Sequence, residues 1–338
     1  MNICYLLGNG FDLSLLMKTS YKNFLDDYLS INNENKEIVN DIQKLKTYII
    51  DKGYDENSLW SDCELGFAEF TGEFSDSVED KQSFLNAYFD FLSNLANYLR
   101  QEQSKLNSYN MDIIVDEFIS TIINFDKKLL PDDSQIYANV LSENEDINVN
   151  IINFNYTESV DAIAFDYVNK KKKLGKHRAF DIQLNEIVHI HGMNDEGMIL
   201  GVNDHLQLKN PSFADILVKH KINEYKKLGI PKHVEEILQA SKVYVIFGMS
   251  IGVTDKYWFE YIANKVLNDM NRLIVIIGYY DKHSFKYPQQ IHFKDEEYVN
   301  KFLSMTSLDE KQKNNVRKRI IVESNTQVFG FKIELKKN

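Results

Sequence analysis

Two unbroken apolar runs, residues 243–247 (VYVIF) and 273–277 (LIVII), constrain this chain more than any other feature. A strand with one wet face alternates apolar and polar residues. A short continuous β-branched run therefore belongs to a strand buried on both faces, as in a parallel sheet. Between the two runs, residues 255–268 place Trp258, Tyr261, Ile262, Val266 and Leu267 at helical spacing. Strand, amphipathic helix and strand make a β–α–β unit, which predicts an α/β chain with a doubly wound, mostly parallel sheet. Further strands are predicted at residues 3–7, 149–154, 187–191 and 199–202. The runs 320–323 and 327–335 lie close enough to predict an antiparallel edge hairpin around Ser324 and Asn325.

Residues 20–130 carry helical periodicity almost throughout. Ser20 or Thr19 can cap a helix over 21–29. Phe84, Leu85, Tyr88, Phe91, Leu92, Leu95 and Tyr98 repeat at 3.6-residue spacing, as do Ile114, Val115, Phe118, Ile122 and Phe125. The expected organisation is a first strand and turn in 1–19, a helical insert in 20–130, and the rest of the α/β domain in 131–338. Charge follows this division. The net charge is −11, but residues 1–150 hold 27 acidic and 11 basic residues while the remainder is net positive. The acidic balance disfavours broad binding to nucleic acid. The basic cluster Lys170–Lys173, with Lys176 and Arg178, reads as a solvated loop.

Only Cys4 and Cys63 are present, which excludes a disulfide framework and a four-cysteine zinc site. No apolar run approaches the ~20 residues of a membrane span. The start MNICYLLGNGFD has no basic leader region and reads as a first strand, so a cytoplasmic location without membrane association is expected.

Four polar motifs fall at predicted strand ends, where open α/β sheets bind ligands. Gly8-Asn9-Gly10-Phe11-Asp12 follows the first strand, either as an ordinary β-to-α turn or as a backbone cradle for phosphate. Asn153, Asn155 and Thr157 follow the second; alternate Asn positions point two amides the same way, for ribose, for water or as a strand-end cap. His189-Ile190-His191-Gly192 can supply a general base or, with Asp204 or His205, metal ligands. Otherwise it holds one buried and one surface histidine, although Gly192 clears space beside an imidazole. Gly248-Met249-Ser250 precedes Asp255, which is either a helix N-cap or a ligand contact at a helix start. Trp60-Ser61-Asp62-Cys63-Glu64 reads as a helix start in the insert, with its acids near the dipole.

Taken together, GNGFDLSLLMKTSYKNFL, NFNYTESV, VHIHG and VIFGMSIGVTDKYWF closely resemble the bacteriophage abortive-infection AbiH family over most of the chain. That family is similar to the sirtuin-like superfamily, which implies a Rossmann-type domain that binds NAD and, in many phage-defence members, cleaves it to nicotinamide and ADP-ribose. By the resemblance, Gly8 and Gly10 match the glycine turn, Asn155 the catalytic-site Asn and His191 the active-site His. Gly248, Ser250 and Asp255 match the late nucleotide-binding element. Asn9, Asp12, Asn153 and Thr157 are the accompanying cofactor contacts. Thr157 stands where many such proteins carry Asp, and Asn9 replaces a small residue. The zinc module of the deacetylases is absent, so deacylation is not expected.

In NAD the nicotinamide is cationic and leaves neutral, so no general acid is needed, unlike ordinary glycoside hydrolysis. The expected roles are Asn155 on ribose or water, His191 as base, and backbone N–H groups of Gly8–Gly10 and Gly248–Ser250 on the pyrophosphate. No metal is expected. A phage-derived trigger protein and a homo-oligomer are the partners the resemblance implies. Two other readings stand beside this one: a non-catalytic nucleotide sensor on the same fold, and a metal-dependent nuclease using His189, His191 and Asp204.

Overall fold

The computed structural model describes residues 1–32, 38–55, 57–141, 146–177, 180–193, 197–227, 229–278, 287–323 and 328–336. Its centre is a seven-stranded mixed sheet: β1 (Asn2–Leu7), β2 (Ile147–Asn153), β3 (Lys173–His177), β4 (Phe180–His189), β5 (Ser241–Phe247), β6 (Leu273–Ile277) and β7 (Ile320–Glu323). The spatial order is β3-β4-β2-β1-β5-β6-β7. Every neighbouring pair is parallel except β3 with β4.

The central strands are buried on both faces, as their continuous apolar runs require. Ile3, Tyr5 and Leu7 point into one core with Phe11, Phe118, Phe125 and Phe329. Cys4 and Leu6, the alternate residues, point into the other with Tyr244, Ile246, Trp258 and Phe259. The helix Lys256–Asn268 between β5 and β6 buries Trp258, Phe259, Ile262, Ala263 and Val266 on the second face.

A third core lies in the helical insert. Phe24, Tyr28, Phe67, Phe84 and Phe91 pack there together with Leu200, Val202, Phe213 and Leu217. Phe91 meets Phe24 and Phe67 edge-on at 5.0 and 4.9 Å, the arrangement that aligns ring edges with π faces. Each such fully buried ring contributes about 1.5–3 kcal/mol of hydrophobic stabilisation. Ser20 caps the helix Tyr21–Ser30 through the Asn23 N–H. The long helix runs Val78–Ser104. Helix Met111–Ile123 instead buries Ile114, Phe118 and Ile122 against the sheet. The stretch 20–130 thus packs in two places.

Three expectations are corrected. β7 pairs parallel with β6, and among the described residues it forms no antiparallel hairpin with the following run. Residues 324–327 lie outside the described residues, and beyond them Val328 and Phe329 turn back into the core. The only pairing of that run among the described residues is an isolated bridge from Leu335 to Tyr109. Residues 199–202 form no strand; Val202 makes a single bridge with Val218. The basic run is not wholly a loop, since Lys173 and Lys176 lie on edge strand β3 and pair with Asp181. Lysines on an edge oppose pairing with a second sheet. Arg178 lies outside the described residues.

Candidate functional site

The parallel register sets Leu7 beside both Asn153 and Phe247, and Asn153 beside His189. The four motifs therefore emerge side by side at one edge of the sheet, in the order His191, Asn155, Gly8–Gly10, Gly248. Backbone bonds continue past the strands: Phe154 N–H donates to Leu7 O and Ile190 N–H to Asn153 O.

The two glycine turns lie in contact. A Cβ on Gly10 would fall 2.4 Å from Gly248 Cα, and one on Gly8 would fall 2.7 Å from Gly248 O. Gly248 itself has φ of +68°, in the left-handed region that favours glycine. Gly8 N–H donates to Phe247 O and Gly10 N–H to Gly248 O, each at 2.9 Å. These donors are spent within the protein. The glycines let two backbone turns meet, and the phosphate cradle expected of Gly8–Gly10 loses two of its three N–H groups. Asn9 accepts the Thr19 hydroxyl at 2.6 Å.

Asn153 and Asn155 do not share a strand face, because β2 ends at Asn153. Asn153 instead braces the turn. Its Oδ1 accepts the Asn155 N–H at 3.0 Å. Asn155 Nδ2 donates to Gly8 O at 3.1 Å, which leaves Oδ1 as the amide's remaining acceptor. Behind this turn, the buried Asp12 accepts the hydroxyls of Thr157 and Ser159 at 2.6 and 2.5 Å. Burial pushes the Asp12 carboxyl up to about 6, against the pull of those hydroxyls. Thr157 is thus a donor to a buried acid; an Asp at 157 would face Asp12 carboxyl to carboxyl.

His191 lies past the end of β4 and is 5% exposed. Its ring meets Phe154 edge-on at 5.4 Å. Gly192 takes φ of +75°, so the glycine after the histidine serves the backbone. His191 Nε2 lies 2.9 Å from Asp255 Oδ1. Among the described residues, Nδ1 is buried with no partner. Asp255 occupies the N-cap position of Lys256–Asn268 but makes no side-chain cap bond. Its carboxylate serves His191 and Lys219 instead. Burial raises the Asp255 carboxyl, yet the Lys219 ammonium and the hydrogen bonds from His191 and Lys219 outweigh that and hold it well below the usual range. An ionised Asp255 accepts Nε2–H, and in the neutral ring Nδ1 then carries the lone pair. A carboxylate that accepts one ring N–H fixes the tautomer and orientation of an imidazole, as the Asp of a catalytic triad does through the other ring nitrogen.

Lys219 Nζ lies 2.8 Å from Asp255 Oδ1, 2.8 Å from Glu64 Oε1 and 3.2 Å from Thr254 O. Burial lowers the Lys219 ammonium, but the two carboxylates more than compensate and raise it. Glu64 is the interior acid of helix Trp60–Phe70, whose start is capped by Asp62 accepting the Leu59 N–H. Lys219 was invisible in the sequence, where it is one lysine in VKHK. The glycine at 201 is the signal that could have found it. A Cβ there would fall 2.1 Å from Leu217 O, so Gly201 allows the segment 199–202 to lie against Leu217 and Val218 and set Lys219.

The two histidines of His-Ile-His do not form one centre. His189 Nε2 pairs with Asp161 at 2.8 Å, away from Asp255. Asp204 caps a short turn by accepting the Leu206 N–H. No cluster of three metal-ligating side chains occurs among the described residues. The nuclease arrangement of His189, His191 and Asp204 is therefore not assembled.

A cleft of about 320 Å³ unites the rest. Gly8, Asn9, Gly10, Asp12, Asn155, Thr157, His191, Gly248, Ser250 and Asp255 line it from the sheet edge, while Tyr21, Trp60, Ser61 and Glu64 line it from the insert. Asn153 is fully buried behind it. A second cavity of about 710 Å³ shares His191, Thr254 and Asp255 with the cleft. No helix among the described residues is long and apolar enough to cross a membrane.

The family model of bacteriophage abortive infection AbiH matches residues 4–277. That span holds every residue of the cleft except Tyr298. No curated protein matches the chain. The chain belongs to the abortive-infection AbiH family, which places it with phage defence.

Proposed function

We propose that this member of the AbiH family arrests phage infection by binding NAD in the cleft and hydrolysing it to nicotinamide and ADP-ribose. The observation that supports the reading best is the His191–Asp255 pair, with Nδ1 unpartnered among the described residues, lining one cleft with Asn155. The strand order gives a second support. Without edge strand β3 it runs β4-β2-β1-β5-β6-β7, a sequence of strands that accords with a doubly wound dinucleotide-binding arrangement. The chain reverses direction across the sheet at β1 and β5, which is where such folds take a nucleotide. A sirtuin-like relationship accords with the motif order.

In this reading nicotinamide leaves with the electron pair of the C1′–N bond and needs no proton. The Asn155 amide orients the ribose or the attacking water. The water oxygen bonds to C1′ as His191 Nδ1 takes its proton, and Asp255 stabilises the imidazolium so formed. With Gly8 and Gly10 N–H committed, the pyrophosphate must rely on Asn9 N–H, the Gly248–Ser250 loop and the insert's hydroxyls. The acidic insert is the proposed surface for a phage-derived trigger protein, and assembly into homo-oligomers accompanies the reading. Release of nicotinamide by the purified full chain, with and without infected-cell extract, tests it. Tight binding in calorimetry without release selects a nucleotide sensor instead.

A further inference from the structure

Lys219 takes no part in the hydrolysis proposed above. It is 7% exposed, and its three N–H groups match three partners within the protein: Glu64, Asp255 and the Thr254 carbonyl. It has nothing left to offer a ligand. What it does contact is informative. His191 Nε2 and Lys219 Nζ both approach the same atom, Asp255 Oδ1, at 2.9 and 2.8 Å. A carboxylate held by two donors on one oxygen has a single rotamer. One held by the imidazole alone can swing, and the imidazole with it.

The three elements that meet at Lys219 come from different parts of the fold. Asp255 follows β5. Lys219 is set by backbone bonds, its N–H donating to Val202 O and Val202 N–H donating to Leu217 O. Glu64 belongs to the insert. The insert touches the Asp255 loop a second time, because a Cβ on Gly252 would fall 2.9 Å from Ser61 Cβ. Helix Trp60–Phe70 is thus seated directly on the loop that carries Asp255.

Resting on the reading of the cleft as an NAD site, we infer that Lys219 is a positioning residue that fixes Asp255 for His191, and that Glu64 makes this fixation depend on how the insert is seated. Withdrawal of helix Trp60–Phe70 removes one of two carboxylates from a buried ammonium. Lys219 then lacks the charge balance that holds it in place, since a buried charge is stable only when paired. A partner that binds the outer face of the acidic insert would reach the base through this route.

The test uses the full chain with ¹⁵N-labelled histidine, in wild type, Glu64→Gln, Lys219→Arg and the double variant Glu64→Gln/Lys219→Met. The double variant removes the ion pair together, so no carboxylate at 64 is left alone. Two signals are read: the His191 ring ¹⁵N shifts, which report the tautomer, and kcat against KM for NAD. Wild type is expected to show a single Nε2–H tautomer. The double variant is expected to lose that single state and at least about tenfold in kcat, with KM for NAD within about twofold. Lys219→Arg recovers part of both. Glu64→Gln keeps the ammonium and is the least disruptive variant; it is expected to lower kcat several-fold at unchanged KM. Wild-type tautomer and wild-type kcat in Glu64→Gln and in the folded double variant overturn the inference. Absence of NAD turnover in wild type overturns the reading of the cleft, while the tautomer signal still decides the role of Lys219.

Discussion

His191 Nε2 meets Asp255 Oδ1 at 2.9 Å across 64 residues of sequence. The contact exists because β4 and β5 end at the same edge of a parallel sheet, with β2 and β1 between them. It gives the imidazole a fixed donor side and leaves Nδ1 without a partner among the described residues.

Asp255→Asn keeps the shape of the side chain but replaces the acceptor charge and can present an amide N–H to the ring. The ring then turns over to the other tautomer, as when the Asp of a triad is made Asn. NAD turnover of the folded variant is expected to fall at least about 10²-fold, and its thermal stability to fall as well, because Lys219 keeps only Glu64 as a counter-charge. A single-turnover assay of nicotinamide release checks this.

Asn155→Ala removes the amide that tethers the turn to Gly8 O and faces the cleft. Turnover is expected to be lost. Asn153→Ala acts differently, since Asn153 braces the turn, its Oδ1 accepting the Asn155 N–H and its Nδ2 donating to Thr157 O. It is expected to cost about 1–2 kcal/mol of stability, measured by urea unfolding, from a lost buried hydrogen bond.

Asp12 gives a pH dependence with a definite sign. Its carboxyl is raised from 3.8 to about 6 in the folded chain. The folded state therefore holds this proton more tightly than the unfolded state. The favourable contribution is complete below pH ~4 and is lost as pH rises through ~6. The rise corresponds to about 3 kcal/mol. Unfolding free energies at pH 4 and pH 7 are expected to show wild type losing about that much relative to Asp12→Asn.

Glycine substitutions separate close approach from ordinary helix preference. Gly10→Ala would place a Cβ 2.4 Å from Gly248 Cα, and Gly201→Ala would place one 2.1 Å from Leu217 O. Both contacts are with backbone, and each change is expected to destabilise the chain by about 2–4 kcal/mol. Gly66 lies inside helix Trp60–Phe70 with nothing within 4 Å of its Cβ position. Gly66→Ala is expected to be neutral or to stabilise by up to about 1 kcal/mol. Thermal unfolding of the three variants checks the contrast.

Strands were readable in the sequence where both faces are buried. Residues 243–247 and 273–277 coincide with the C-terminal part of β5 and with β6. The helices of the insert were readable from their aromatic spacing. The edges were not. β3 begins at a lysine and pairs antiparallel, and an edge strand needs only one apolar face. The run after β7 looked like a strand but folds into the core as irregular chain around Phe329. At the cleft, the strand-end motifs announced themselves because turns need Gly and Asn. Lys219 and Glu64 did not, since an ion pair between distant segments leaves no local pattern. The Asp255 carboxylate could be read as a cap from its position alone; only the fold reveals that His191 and Lys219 have taken it.

The most direct measurement is NAD content in phage-infected cells that carry wild type or His191→Ala. The account predicts that NAD falls after infection in wild-type cells, that nicotinamide and ADP-ribose appear, and that both changes and the protection vanish with His191→Ala. Wild-type cells that arrest with NAD unchanged, or full protection by His191→Ala, would contradict it.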